Sequence, residues 1–411
     1  MRVSSIIRIS ALLIGIPLCL VTIGLNAQAQ NVGADVGGGA GIFRPKNPEV
    51  KKRAPRPTST VKRTSTTRTA PVTTAVADDR VDDLLVQGNQ MRDARRFGEA
   101  EDSYQSVLKL KPRDGRAAYG LGNVYADQQR WDEAEIAYRN AVIWSPNDVE
   151  ALVALSVVLV QPRAGAGNAR RFADSESFAR RAIQLQPNNA VAWDRLGVAL
   201  QSRGLFNDET EHAYRRAVEL DPQFAVAYAH LARVLKRIGK KDEATPLYER
   251  AIQLAKDPPT LNLIAESLQA EQQWANSEPV LKRVLEIDAR DPTAVLLLGR
   301  MLVVFKRYQE AEPYLKTATE VSPRGFQPLN LLGRTYLALD RFEEAEVTYE
   351  RAAQFASVGD RKQLAGVFGF EGVGDGYLKA KKKPSAARAY KRALELDPGN
   401  KELTQKLSKA S

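Results

Sequence analysis

The chain has 411 residues, 44% of them hydrophobic, so there is enough apolar material for a substantial core. Its formal charge is +11, but nine bases against Glu49 put +8 of this into residues 44–69 and leave about +2 for residues 70–411; the basicity belongs to a tail and not to a nucleic-acid-binding face. A single cysteine, Cys19, and two histidines exclude a disulfide framework and make a zinc site improbable.

The first 29 residues read as an export signal. Arg2 and Arg8 precede an apolar run from Ala11 to Leu25, and Ala27-Gln28-Ala29 is a small-x-small cleavage site. Fifteen residues at about 1.5 Å each reach ~22 Å, short of the ~30 Å hydrocarbon core, which argues for cleavage near Gln30 over a retained anchor. Cys19 follows Leu18 inside the run, so a lipidated cysteine is not expected, and cleavage leaves a chain without cysteine.

Residues 30–77 form the second region. A glycine patch, Gly37 to Gly39, passes into proline, threonine and basic residues with almost no periodic apolar pattern. Such a stretch buries too little to offset its ordering entropy, and the expectation is a disordered basic linker. It serves either as a solvated spacer or as an adhesive for anionic lipid or cell-wall polymer; nucleic acid is not an expected partner, since no aromatic residue lies between Arg44 and Val81 to stack on a base.

From residue 78 to 411 the dominant feature is a cadence. Gly88, Gly122, Ser156, Gly197, Ala232, Ala265, Gly299, Gly333 and Gly374 recur mostly 34 residues apart. Around Gly122, the residues Ala118, Leu121, Gly122 and Tyr125 share one helical face, and Ala134, Tyr138 and Ala141 share a face of a second helix that Pro146 ends. The small residues let the paired helices approach while the tyrosines fill the gaps. Trp193, Leu196, Gly197, Tyr214, Ala217 and Pro222 repeat the pattern, as do Gly299 and Gly333 with Ala311 and Ala345, Leu315 and Tyr349, and Ala318 and Ala352.

Together these residues resemble the tetratricopeptide repeat family of bacterial, exported type. The resemblance implies an all-α superhelical solenoid of about nine helix-turn-helix repeats over Val81 to Pro398, closed by a cap helix at Lys401 to Lys409. Two seven-residue departures from the period place insertions within Gln161 to Arg171 and near Ser357 to Gly366, each either a functional loop or a tolerated one. Gly369, Gly372, Gly374 and Gly376 weaken the first helix of the ninth unit, which is expected to be the most mobile hairpin.

No catalytic constellation is visible. His212 and His230 read as ordinary helix residues, and the acidic cluster Glu343, Glu344 and Glu346 reads as a solvated face. No cofactor or metal is expected.

In the family that the chain resembles, first-helix positions two, five, nine and twelve line a concave groove for partner peptides, with the small residue counted as position eight. The resemblance thus selects Asn89, Tyr119 and Asn123, with the asparagine amides as donors toward a peptide backbone, then Val153, Val157 and Val198 beside Asp194. Arg233, Lys236, Asn262, Arg300, Asn330 and Arg334 follow, with Glu266 among them. Arg233, Lys236, Arg300 and Arg334 either dock an acidic segment or pair with neighbouring acids. The function expected is non-catalytic protein–protein scaffolding in the periplasm or outside a bacterial cell. Adhesion through the linker and recruitment for an envelope enzyme are the alternatives, and the oligomeric state is left open.

Overall fold

In a computed structural model the described residues are 45–50, 72–161 and 167–411, with side chains described from Asp78 onward in the first helix. The signal segment, Cys19, the glycine patch and linker residues 51–71 lie outside them.

Among the described residues the chain is helical throughout, and consecutive helices pair. The first three hairpins are α1 (Val72–Asp93) with α2 (Phe97–Leu110), α3 (Gly115–Asp127) with α4 (Trp131–Trp144), and α5 (Val149–Leu159) with α6 (Asn168–Leu185). The middle three are α7 (Ala190–Ser202) with α8 (Asp208–Leu220), α9 (Ala225–Arg237) with α10 (Lys241–Leu254), and α11 (Pro258–Ala270) with α12 (Trp274–Ile287). The last three are α13 (Pro292–Val304) with α14 (Tyr308–Val321), α15 (Phe326–Ala338) with α16 (Phe342–Ala353), and α18 (Phe370–Lys379) with α19 (Lys383–Leu396). A short α17 (Val358–Ala365) stands before the ninth hairpin, and α20 (Lys401–Ala410) closes the array. The buried side chains follow the array as a seam.

Local chemistry explains the punctuation. Five first helices begin at acidic or amide caps, where Asp114, Asp148, Asn189, Asp257 and Asp291 each accept a hydrogen bond from a backbone N–H of the first turn. The turn inside the hairpin needs one left-handed residue. Gly204 and Gly239 supply it without steric cost, while Arg95, Gln129, Gln272, Lys306, Asp340 and Lys381 adopt it as non-glycines.

The cadence has a single steric cause. A β-carbon at Gly122 would lie 2.5 Å from the Tyr138 ring, one at Gly88 2.7 Å from Tyr104, and one at Gly299 2.6 Å from Leu315. The six hairpins with glycine at this place, those of Gly88, Gly122, Gly197, Gly299, Gly333 and Gly374, therefore close on a tyrosine or leucine side chain of the second helix that occupies the space a larger residue would take. First helices also pack on the next first helix (α1 on α3, α5 on α7, α9 on α11), while second helices pack most on the first helix of their own hairpin and next on the first helix that follows. The first helices thus form the inner, concave layer.

The insertions fall within the expected stretches. The first lies between α5 and α6 and includes residues 162–166, outside the described set; part of it lengthens α6, whose Arg171 donates to the Gln161 and Val158 carbonyls and to Glu135. The second is α17, opened by a capping box between Ser357 and Asp360.

Two expectations change. The linker assigned to 30–77 has structure at both ends of its described part: α1 begins at Val72, and residues 45–50 are docked on the solenoid. Gly369 caps α18 from outside, and the glycines within α18 answer to packing, with Gly374 against the Tyr390 ring, Gly376 against Phe342 and Gly372 against the Val367 carbonyl. The acidic cluster lies on the surface as expected, with Glu343 and Glu344 exposed, and is clamped there by bases: Glu343 pairs with Lys382 at 2.7 Å, Glu346 with Arg388 at 2.7 Å, and Glu344 with Arg341.

That clamp belongs to a ladder along the second helices. The basic residue just before a second helix reaches back to a glutamate of the preceding one: Arg130 to Glu101 (3.2 Å), Lys240 to Glu211 (2.8 Å), Arg307 to Glu278 (3.0 Å) and Arg341 to Glu312 (2.8 Å). Lys282 and then Arg307 hold Glu278 below the ordinary carboxylate range, and Lys316 and Arg341 do the same for Glu312. Burial works to raise Glu211, but hydrogen bonds from Lys240 and Arg215 bring it below as well.

Two measurements follow from this packing. Gly122→Val should lower the thermal midpoint by the equivalent of about 1–3 kcal/mol through overpacking against Tyr138, whereas Gly98→Ala, with nothing within 4 Å of its β-carbon, should leave it unchanged or raise it. Depressed folded-state carboxylates stabilise above their unfolded pKa, about 4.3, and lose that contribution as pH falls through the folded value. The thermal midpoint of a Glu211→Gln, Glu278→Gln, Glu312→Gln variant should therefore fall below wild type at pH 7 and converge with it as pH falls through the folded-state values of the three carboxylates.

Candidate peptide-binding groove

The amino-terminal part of the concave layer carries a peptide of the chain itself. On α1 and α3 the second-helix tyrosines that fill the glycine gaps also reach the groove. The Tyr104 hydroxyl donates to Asn89 Oδ1 and the Tyr138 hydroxyl to Asn123 Oδ1, both at 2.8 Å. Burial pushes both phenols well above their ordinary pKa, so they remain protonated donors. With its oxygen engaged from below, each carboxamide turns its NH2 group toward the concave surface.

There the amides meet main-chain carbonyls. Asn89 Nδ2 donates to the Pro48 carbonyl and Asn123 Nδ2 to the Lys46 carbonyl, each at 3.0 Å. Arg92 Nη1 donates to the Pro45 carbonyl at 2.8 Å and to Asn47 Oδ1 at 2.9 Å, while its Nε and Nη2 form a fork with Asp127 at 2.8 and 3.1 Å. Asn47 Nδ2 donates to Asp93 Oδ2 at 2.9 Å. Arg92 is only 1% exposed and Asn123 fully buried beneath this cover. Pro45 meets Arg92 and Pro48 meets Asn89, so the segment runs opposite in sense to α1.

The remaining expected groove residues divide into three groups. Tyr119 is buried with its ring 5.9 Å from Tyr138. Val153, Val157 and Val198 are buried between neighbouring first helices, so they form packed floor instead of an open apolar surface. Asp194 is fully buried, 2.5 Å from Arg195 and 2.8 Å from His230 Nδ1. Burial would raise its carboxyl, but Arg195 and His230 hold it below the usual range. His230 thereby ties the fourth repeat to the fifth and is more than a generic helix residue; His212 rests edge-on to Trp193 at 5.7 Å.

The cationic stretch is largely engaged inside the protein. Lys236 Nζ lies 3.7 Å from Glu271 and donates to its carbonyl, and Arg300 Nη2 donates to Gln269 at 2.7 Å. Arg334 lies over the Phe368 ring at 4.8 Å, and Arg233 is 9% exposed. Asn262 donates to the Asp291 cap at 2.9 Å, and Asn330 is buried. Pairing with a neighbouring acid therefore describes Lys236, and Arg300 is held by the neutral amide of Gln269. Among the described residues no group of three or more metal-ligating side chains comes together.

Arg92 is not among the expected groove residues, although it sits at position twelve of the first repeat by the same count; it carries more contacts than Asn89 or Asn123. Asp127, its partner, has no signal beyond lying one turn after Asn123.

Models of the tetratricopeptide repeat match residues 85–149, 227–261, 262–320 and 305–357. The chain is a tetratricopeptide repeat protein. Among solved structures this repeat array is similar to the yeast Tom70 crystal structure, with 15% identity over 93% of this chain and 74% of that one and a TM-score of 0.54. It is also similar to MamA, at 24% identity over 41% of this chain and 93% of that one with a TM-score of 0.36. YrrB, described as a tetratricopeptide protein with an unusual peptide-binding site, shows 21% identity over 49% and 97% with a TM-score of 0.37. No curated protein matches the chain. In this repeat array the Asp194 network is a structural tie: Asp194→Ala, which leaves Arg195 and His230 buried without their acid, should cost about 3–5 kcal/mol in chemical unfolding, against less than ~1 kcal/mol for Arg334→Ala at the groove surface.

Proposed function

We propose that this tetratricopeptide protein is a non-catalytic scaffold of the bacterial cell envelope, exported by residues 1–29, that holds extended segments of partner proteins in its concave groove. One observation carries the reading: side chains pre-aimed by buried tyrosines, Asn89 and Asn123, bind main-chain carbonyls of an extended segment. Recognition through the backbone is suited to peptides of varied sequence, with neighbouring side chains supplying selectivity. The internal engagement of Lys236 and Arg300 favours a partner read by its backbone over one read by acidic side chains. The +8 charge of residues 44–69 supports a second, accessory role, attachment to an anionic lipid or cell-wall surface.

The reading predicts where partners touch. A photo-crosslinking amino acid at Lys236 or Arg334, on the inner layer, should capture the same partner species in intact cells. The same group at Ile143 or Val347, which are 69% and 63% exposed on second helices, should capture none of it. Capture from the outer positions alone overturns groove binding, and recovery of the chain in the cytoplasm with Met1 retained overturns export.

A further inference from the structure

Resting on the reading that the groove takes peptides, we propose that residues 45–50 are a built-in ligand of the first two repeats, and that a partner peptide of the same chemistry gains the groove only by displacing them. The segment, Pro-Lys-Asn-Pro-Glu-Val, uses three backbone carbonyls, at Pro45, Lys46 and Pro48, and each meets a different donor on Arg92, Asn123 and Asn89. Proline at the first and fourth places has no N–H to leave unsatisfied and favours the extended backbone that such contacts need. Asn47 adds side-chain specificity by accepting from Arg92 and donating to Asp93. Lys46 lies 3.9 Å from Glu150, an exposed pair that contributes little. Val50 packs on the cluster around Val81 and Leu85, anchoring the far end on the first repeat.

Emptying the site would strand what the segment now satisfies. Arg92 Nη1 and the two carboxamide NH2 groups would lose their acceptors together, and a guanidinium now 1% exposed would be opened to water. The open groove therefore selects a ligand that restores the same pattern: carbonyls at the first, second and fourth places, proline at the first and fourth, and a carboxamide at the third. Residues 51–71, twenty-one in number, join the segment to α1. A tether of this length supplies the segment at an effective concentration of roughly millimolar, which a partner in trans must outcompete.

The probe is a fluorescein-labelled peptide of sequence Pro-Lys-Asn-Pro-Glu-Val, read by anisotropy against the full chain and against a full chain whose residues 45–50 are replaced by glycine and serine. Helical content by circular dichroism establishes that each variant is folded. Expected is binding to the replaced chain at least about tenfold tighter than to wild type, and loss of that gain when Asn89→Ala and Asn123→Ala are added. Equal binding to wild-type and replaced chains overturns the proposal, as does tight binding that survives the two asparagine changes or no binding to the replaced chain. A concentration-dependent dimer that the replacement abolishes also overturns it, since the segment would then serve a second copy. Crosslinks at Lys236 and Arg334 are independent of these outcomes, so a failed built-in ligand leaves the scaffold reading standing.

Discussion

The array depends on the contact between a small residue of the first helix and the second-helix side chain that faces it, a tyrosine or leucine in the six hairpins where the small residue is glycine. Where Gly122 meets Tyr138, or Gly88 meets Tyr104, a β-carbon would collide with the ring, so the ring itself sets how closely the two helices approach. Repeating that distance through nine hairpins brings the first helices together on the inner side and spreads the second helices outside. A groove is the geometric remainder.

The same tyrosines connect packing to recognition. Their rings fill the glycine gaps and their hydroxyls continue through the helix pair to the groove asparagines, so the groups that would bind a peptide are oriented by the core. Tyr214 repeats the arrangement with Gln201 at 2.9 Å and Tyr390 with Asp375 at 2.6 Å. The hydroxyls are buried and stay protonated, which keeps each amide oxygen occupied and each amide NH2 available. A donor held in advance costs less ordering on binding than one that must be recruited from solvent.

Charge is distributed by layer. On the outer side, lysine and arginine residues before the second helices reach back to glutamates of the previous repeat, joining neighbours through pairs that remain partly hydrated and individually modest. On the inner side the pairs are fewer and deeper. Asp194 with Arg195 and His230, and Asp127 with Arg92, are held where water is scarce, so their geometry constrains the repeats more than the outer ladder does.

The sequence by itself determined the repeat, the helix pairs, the two insertions and the cap helix, because these follow from spacing within about 40 residues and from the size of single side chains; the inward placement of Asn89 and Asn123 came from the resemblance to the tetratricopeptide family. It did not determine what those amides hold. The docking of residues 45–50 joins groups 41 to 77 positions apart through backbone carbonyls, and a proline-rich, apolar-poor stretch carries no periodic signal of such an attachment. The fork of Arg92 with Asp127, the pairing of Lys236 with Glu271 and the burial of Asp194 beside His230 were likewise decided only by the tertiary structure. Each requires side chains about one repeat apart to be brought face to face, and only the stacking of helices places them there.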